Sequence, residues 1–250
     1  MKNIAKLSIG KIVAADYRTA AVFKAFDIDF CCNGKQSLEE ACETKQLDLE
    51  AMVARLKDTS KTESHGTFSF DFWPVDLLSF YIENKHHRYV RRRIPVILRL
   101  LSRLCKSEGD VHPVLWEIRK EFVKAAKELL VHMKREELIL FPYIRKMVKD
   151  ENGVSVFEAA HFDAVRQPIL QMINEHEKEG KRFKKIAALT RNYSLPDHAS
   201  PVCKITYAFL REFDKDLQKH FHLENNILFA KALDAEGDSP YGFSVILGKP

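Results

Sequence analysis

His132, Glu136, Ile139, Leu140 and Phe141 recur further along the chain, at the same offsets, as His220, Glu224, Ile227, Leu228 and Phe229. On an α-helix a residue and the one four positions on lie a turn apart on one face, so each His-x-x-x-Glu offers an imidazole and a carboxylate to one metal ion. Two copies offer two such grips. In a chain with ten His, about one His-x-x-x-Glu is expected by chance, and the shared Ile-Leu-Phe raises the repeat above that background. Imidazole with carboxylate and no thiolate suits iron or manganese, and carboxylates that bridge two ions favour a dinuclear centre over mononuclear zinc. Glu136 and Glu224 are the bridges in this reading. Two divalent ions facing two Glu keep a net positive charge. An oxide, hydroxide or small anion is therefore expected with them, a setting for binding dioxygen or nitric oxide or for releasing iron.

Such a centre needs helices that present these residues inward. Only nine Gly and nine Pro punctuate the chain and strand signals are poor, so the expected fold class is all-α. Four segments predict an up-down four-helix bundle: Pro74 to Lys106, Pro113 to Lys149, Val154 to Phe183 and Pro201 to Ala235. Pro113 and Pro201 suit first helical positions and Gly180 an end, while Pro95 and Pro168 fall inside predicted helices as kinks. Ile118, Phe122, Ala125, Leu129, His132, Glu136 and Leu140 step by threes and fours, as do Leu210, Phe213, Leu217, His220, Glu224 and Ile227. Carboxylates on such a core stripe are costly unless paired, and a cation would supply the partner.

Phase also sorts the other histidines. His87 shares a face with Val90, Ile94, Ile97, Leu101 and Leu104, whereas His86 falls with Tyr89, Arg93 and Val96 and reads as a surface residue. His161 lines up with Phe157, Pro168 and Met172 on the third predicted helix. His112 lies too far from His132, His222 points away from His220, and His65, His176 and His198 stand in polar or loop contexts, so none of these is taken as a ligand. The expected ligands are His87, His132, Glu136, His161, His220 and Glu224, each half of the site being a helix with an inward His followed by a helix with His-x-x-x-Glu. Glu128, one turn before His132, is a candidate to orient a ligand or pass protons, with a boundary salt bridge as the alternative.

The formal net charge of +5 is dispersed over 40 Lys and Arg and 35 Asp and Glu, and the Arg91 to Arg93 run reads as a solvated helix face rather than a nucleic-acid contact. No segment approaches a membrane span and the first 18 residues lack a leader pattern, so no membrane and a cytoplasmic compartment are expected. Five Cys, irregularly spaced and two of them adjacent, fit reduced thiols. The polar stretch 58–72 is the expected linker between a small helical domain, 1–57, and the bundle, 73–236, with 237–250 as a tail of no evident role.

The chemical feature of the first domain is Asp29-Phe30-Cys31-Cys32-Asn33-Gly34. Adjacent Cys rarely bond to each other. A Gly turn ahead of a segment starting near Ser37 is a place where a thiol pKa falls, against the alternative of an inert buried pair. This stretch, continuing Lys35-Gln36-Ser37-Leu38, followed by a bundle with His132-x-x-x-Glu136 and His220-x-x-x-Glu224-Asn225-Asn226-Ile227-Leu228-Phe229, resembles the iron-sulfur cluster repair di-iron proteins, also called the repair of iron centres family. The resemblance covers nearly the whole chain. It implies two iron ions in an oxo- or hydroxo-bridged centre on the six ligands named above, Cys31 and Cys32 as functional thiols, and iron-sulfur proteins as clients whose oxidatively or nitrosatively damaged clusters are repaired by iron supply. Reduction of nitric oxide at the centre is an associated activity in the family, and a homodimer is compatible with it. An acidic residue is expected just before the third-helix His, where Ala160 stands before His161. Two other readings compete: a hemerythrin-like carrier or sensor of dioxygen or nitric oxide without repair activity, and a metal-free helical bundle.

Overall fold

The structure, a computed structural model, describes residues 2–61, 70–151 and 165–235. Among these residues there is no strand, and an isolated antiparallel bridge joins Ser8 to Ser37. No described helix is long and apolar enough to cross a membrane. The helices are α1 (Lys2–Ala5), α2 (Ile9–Ala15), α3 (Ala20–Ala25), α4 (Leu38–Lys45), α5 (Leu49–Lys61), α6 (Val75–Ile82), α7 (Arg88–Glu108), α8 (Val114–Arg135), α9 (Phe141–Glu151), α10 (Arg166–Leu189), α11 (Pro201–Leu223) and α12 (Phe229–Ala235). Helices α6 and α7, α8 and α9, and α11 and α12 are joined without interruption through single π turns, Glu83–His87, Glu136–Leu140 and Glu224–Leu228.

The chain forms two compact units. One comprises Phe80–Leu140 and Gln171–Phe221 and is by itself a four-helix bundle. Its core is the stripe expected from phase: Ile94, Ile97, Leu101 and Leu104 of α7, Ile118, Phe122 and Leu129 of α8, and Leu210, Phe213 and Leu217 of α11 are all buried. Phe122, Phe183 and Phe213 form an aromatic cluster at its centre, with centroids 5.4 Å apart for Phe122 and Phe213 and 5.6 Å for Phe183 and Phe213. Such pairs add attraction beyond the area they bury. Helix α10 departs from expectation at two positions. Pro168 is its third residue, where a missing N–H breaks no helical hydrogen bond, and Gly180 lies in its interior rather than at its end.

The other unit gathers the described residues of Met1–Ser79, Phe141–Leu170 and His222–Pro250. Ile9, Val13, Phe23, Leu38, Met52 and Leu56 form its buried N-terminal core. Helix α4 starts with a capping box in which Ser37 Oγ accepts from the Glu40 N–H and the Glu40 carboxylate accepts from the Ser37 N–H. This unit includes described residues on both sides of the expected linker, 58–72. Residues 62–69 of that stretch lie outside the described residues, as do 237–250, but Arg145 Nε donates to Ser79 Oγ at 2.8 Å and Lys231 Nζ donates to the carbonyls of Asp71 and Trp73. These bonds tie residues of the later helices to the N-terminal part of the chain.

Candidate metal centre

Each π turn adds a residue to its helical turn, and the ligand candidates stand at these insertions: His87 closes the first, Glu136 opens the second and Glu224 opens the third. Two overlapping groups of side chains bring their ligand atoms within 4.8 Å of one another: His87, Glu136, His220 and Glu224, and His132, Glu136, His176 and Glu224. Glu224 follows His220 by one turn of the same uninterrupted helix, and all six residues are buried.

The geometry around Glu136 is that of a shared carboxylate. Its Oε2 lies 3.5 Å from His87 Nε2, while its Oε1 lies 3.1 Å from His132 Nε2 and 3.9 Å from His176 Nε2. Both oxygens are buried and neither has a hydrogen bond. The ring nitrogens also face one another in pairs, His87 Nε2 to His220 Nε2 at 3.1 Å and His132 Nε2 to His176 Nε2 at 2.8 Å. A buried carboxylate that forgoes hydrogen bonds among inward imidazoles is costly as it stands and is satisfied by cations. Each of the two donor groups therefore fits a metal ion.

Carboxylates behind the rings set the histidine tautomers. His87 Nδ1 is 2.7 Å from Glu137 Oε1, and His132 Nδ1 is 2.8 Å from Glu175 Oε2. A proton held at Nδ1 leaves the Nε2 lone pair for a metal. Each carboxylate is itself fixed by an arginine, Arg91 on Glu137 and Arg135 on Glu175. Burial pushes the Glu137 carboxyl up, but its hydrogen bonds with His87 and Arg91 prevail and hold it at about 2. The His132 hydrogen bond, aided by Arg135, likewise holds Glu175 at about 2.

Two histidines, His176 and His86, depart from the sequence expectation. His176, which reads from sequence as a residue in a polar context, is fully buried on α10, with its ring stacked on Phe221 at 4.1 Å. It completes the second donor group. His161 and the preceding Ala160 lie outside the described residues. The acidic residue expected before the third-helix His is present before His176 as Glu175. The sequence does carry a signal for it: Met172, His176, Glu179, Phe183, Ile186 and Thr190 step by fours and threes and are all buried. His86, expected at the surface, is 1% exposed, with Nδ1 3.1 Å from Asp216 Oδ1 and its ring stacked on His220. The π turn Glu83–His87 carries both adjacent histidines inside, which an uninterrupted α-helix would not do. His222 is also buried, packed against Tyr17 and Phe30 rather than in either donor group.

A pocket of about 360 Å³ reaches the His132 and His176 rings, with Glu128, Lys178, Glu179 and Phe221 among its walls. Glu128 is 40% exposed and ion-paired to Lys178 at 2.7 Å and Arg182 at 3.1 Å, so the boundary salt bridge is present at the pocket wall. Burial pushes the Glu179 carboxyl up to about 7 against the pull of Arg182. Between its ordinary value of 4.5 and about 7 the folded chain binds a proton there that the unfolded chain releases, so stability falls as pH rises through that window. Glu179→Gln should remove that fall, on the order of 1–3 kcal/mol, in urea unfolding of the metal-free chain at about pH 5 and about pH 7.5. An unchanged pH dependence would count against the assignment.

In the other unit, Asp29, Cys31 and Cys32 also bring their ligand atoms within 4.8 Å of one another. The two sulfurs are 3.5 Å apart, and all five cysteines carry thiols. Of the two alternatives for this pair, a lowered thiol pKa is not found at Cys31. Its hydrogen bond with Cys32, its burial and the negative Asp29 push it well above the ordinary range.

Four helices around inward His and Glu groups define a hemerythrin-like cation-binding bundle. Residues 80–232 match the hemerythrin HHE cation binding domain, and residues 5–60 match a domain of unknown function, DUF542. The chain is 32% identical over 231 residues to the iron-sulfur cluster repair protein YtfE of Yersinia pseudotuberculosis serotype O:1b, covering 92% of this chain and 97% of that one. The protein of the same name from Yersinia pestis is similar to the same degree, 32% over 231 residues. The chain belongs to the family of these iron-sulfur cluster repair proteins, and its larger domain is of the hemerythrin HHE cation-binding type.

Proposed function

We propose that the protein holds two iron ions on its His and Glu groups and repairs damaged iron-sulfur clusters by supplying iron to them. The observation that supports a dinuclear centre best is Glu136, whose two oxygens are turned toward different histidines, one toward His87 and the other toward His132 and His176. Glu224 is the second shared carboxylate. Bound iron supplies redox and Lewis-acid chemistry toward dioxygen and nitric oxide. The chain's own residues hold and shield it. Glu137 and Glu175 keep their histidines oriented with Nε2 inward, and Phe221 stacks on His176 at the pocket wall. The pocket beside His132 and His176 gives small ligands a route to that half of the centre.

Cys31 and Cys32 argue for repair over simple ligand carriage, because a carrier needs no appended thiol pair. Clients are iron-sulfur proteins in the cytoplasm, and reduction of nitric oxide is a second activity of the same centre. The test uses the iron-loaded chain and a cluster-bearing hydratase inactivated by oxidation. Activity should return to the hydratase as iron leaves the chain, both followed in the same sample. Iron that stays bound while the hydratase remains inactive would defeat the donor reading, and fewer than one iron per chain after reconstitution would defeat the metal assignment itself.

A further inference from the structure

The peptide that carries Cys31 and Cys32 is held from two directions. On one side Asp29 Oδ1 accepts from the N–H groups of Cys31 at 3.2 Å and Cys32 at 2.9 Å and from the Cys31 thiol at 3.3 Å. On the other, two consecutive amides take its carbonyls. Asn225 Nδ2 donates to Cys31 O at 3.1 Å, and Asn226 Nδ2 donates to Phe30 O at 3.1 Å and Cys31 O at 3.3 Å. Asn226 Nδ2 also lies 3.0 Å from His222 Nδ1, which packs against Phe30.

The space around Asn226 admits little else. A Cβ on Gly10 would stand 2.2 Å from Asn226 Oδ1, and one on Gly34 would stand 2.3 Å from it. The two glycines are joined by the hydrogen bond from Gly10 N to Gly34 O, at 2.7 Å. Helix α2 and the Cys loop thus form a glycine cradle that accepts this one side chain. Asn225 and Asn226 directly follow Glu224 in the π turn Glu224–Leu228. The backbone that places the Glu224 carboxylate also places both amides.

We propose that Asn225 and Asn226 are positioning residues that couple the Cys31–Cys32 thiol pair to the occupancy of the metal centre. A cation held by Glu224 fixes its turn, the amides carry that order to the carbonyls of Phe30 and Cys31, and the exposure of the thiols follows. The coupling rests on Glu224 being a metal ligand, as proposed above. It gives the chain a means of keeping its thiols guarded while loaded and exposing them once iron has gone.

The test follows the thiols of the full-length chain, metal-free and iron-loaded without oxygen, as they react with an aromatic disulfide reagent. Peptide mass spectrometry separates Cys31 and Cys32 from the buried Cys42, Cys105 and Cys203. Loading should slow the pair by at least about fivefold, the low end of ordinary coupling between two sites. Asn226→Ala should erase that difference at unchanged iron content, which a merely structural role would not do. Asn225→Ala, which leaves the cradle intact, should reduce the difference in part and serves if Asn226→Ala does not fold. Equal rates in the loaded and metal-free unaltered chain at full iron content would overturn the coupling alone. A difference that survives both substitutions would overturn the role of the two amides, and a chain that takes up no iron would overturn both the coupling and the metal assignment.

Discussion

Glu136→Gln is expected to abolish dinuclear iron binding while leaving the metal-free protein at least as stable as the unaltered chain. The two effects have opposite signs for one reason. Both oxygens of Glu136 are buried without a hydrogen bond, an arrangement that costs the metal-free fold and is rewarded only when cations are present. Neutralising the carboxylate should raise the stability of the metal-free chain by on the order of 1–3 kcal/mol. In a chain of this length that corresponds to a rise of about 2–4 °C in Tm per kcal/mol. Iron should fall from about two ions per chain to below one, because both donor groups contain this residue. Atomic emission and calorimetry, each with and without iron, provide the check. A Glu136→Gln chain that loads like the original would show that Glu136 is not the shared ligand. A large loss of metal-free stability would show that its carboxylate is already satisfied.

His176→Ala should remove the iron of the second group and leave the first, so that about half the iron is retained after gel filtration. His176 contributes the nitrogen 2.8 Å from His132 Nε2, and no other described imidazole stands in its place. The loss of affinity should exceed the roughly 10- to 100-fold change that follows loss of an outer hydrogen-bonding partner. His161→Ala, at the residue that phase favours and that lies outside the described residues, is the matched comparison. Equal iron in the His176→Ala chain and the unaltered chain would remove His176 from the centre, and loss of iron from the His161→Ala chain would place His161 in it.

The residues of the two donor groups show what the sequence conveys and where it stops. Ligands paired within one helical turn, His132 with Glu136 and His220 with Glu224, are legible because their spacing is enough to place them. His87 is legible because the α-helix that follows it keeps its phase from Val90 to Leu104. His176 escapes notice because a stripe that lines a metal centre is itself polar, and Met172, His176 and Glu179 do not read as an apolar face. The repeated Ile-Leu-Phe also misleads in part, since Ile227 is 1% exposed but Ile139 is 62% exposed. Nor does the sequence reveal that Asn225, Asn226 and Lys231 donate to carbonyls of the N-terminal residues. Main-chain acceptors leave no mark in side-chain patterning, so contacts of this kind are not read from a sequence.

The three π turns carry one more consequence. An α-helix can bend or stretch by small amounts, but a surplus residue cannot be partly absorbed. Shedding it means moving every residue on one side by a full position, a rotation of about 100° and a rise of about 1.5 Å. Adjustment at Glu83–His87, Glu136–Leu140 or Glu224–Leu228 is therefore stepwise. A step at the first would exchange His86 for His87, and a step at the third would carry Asn225 to the place of Glu224. The ligand geometry is in this sense indexed like a ratchet, held at one setting until a whole tooth is crossed.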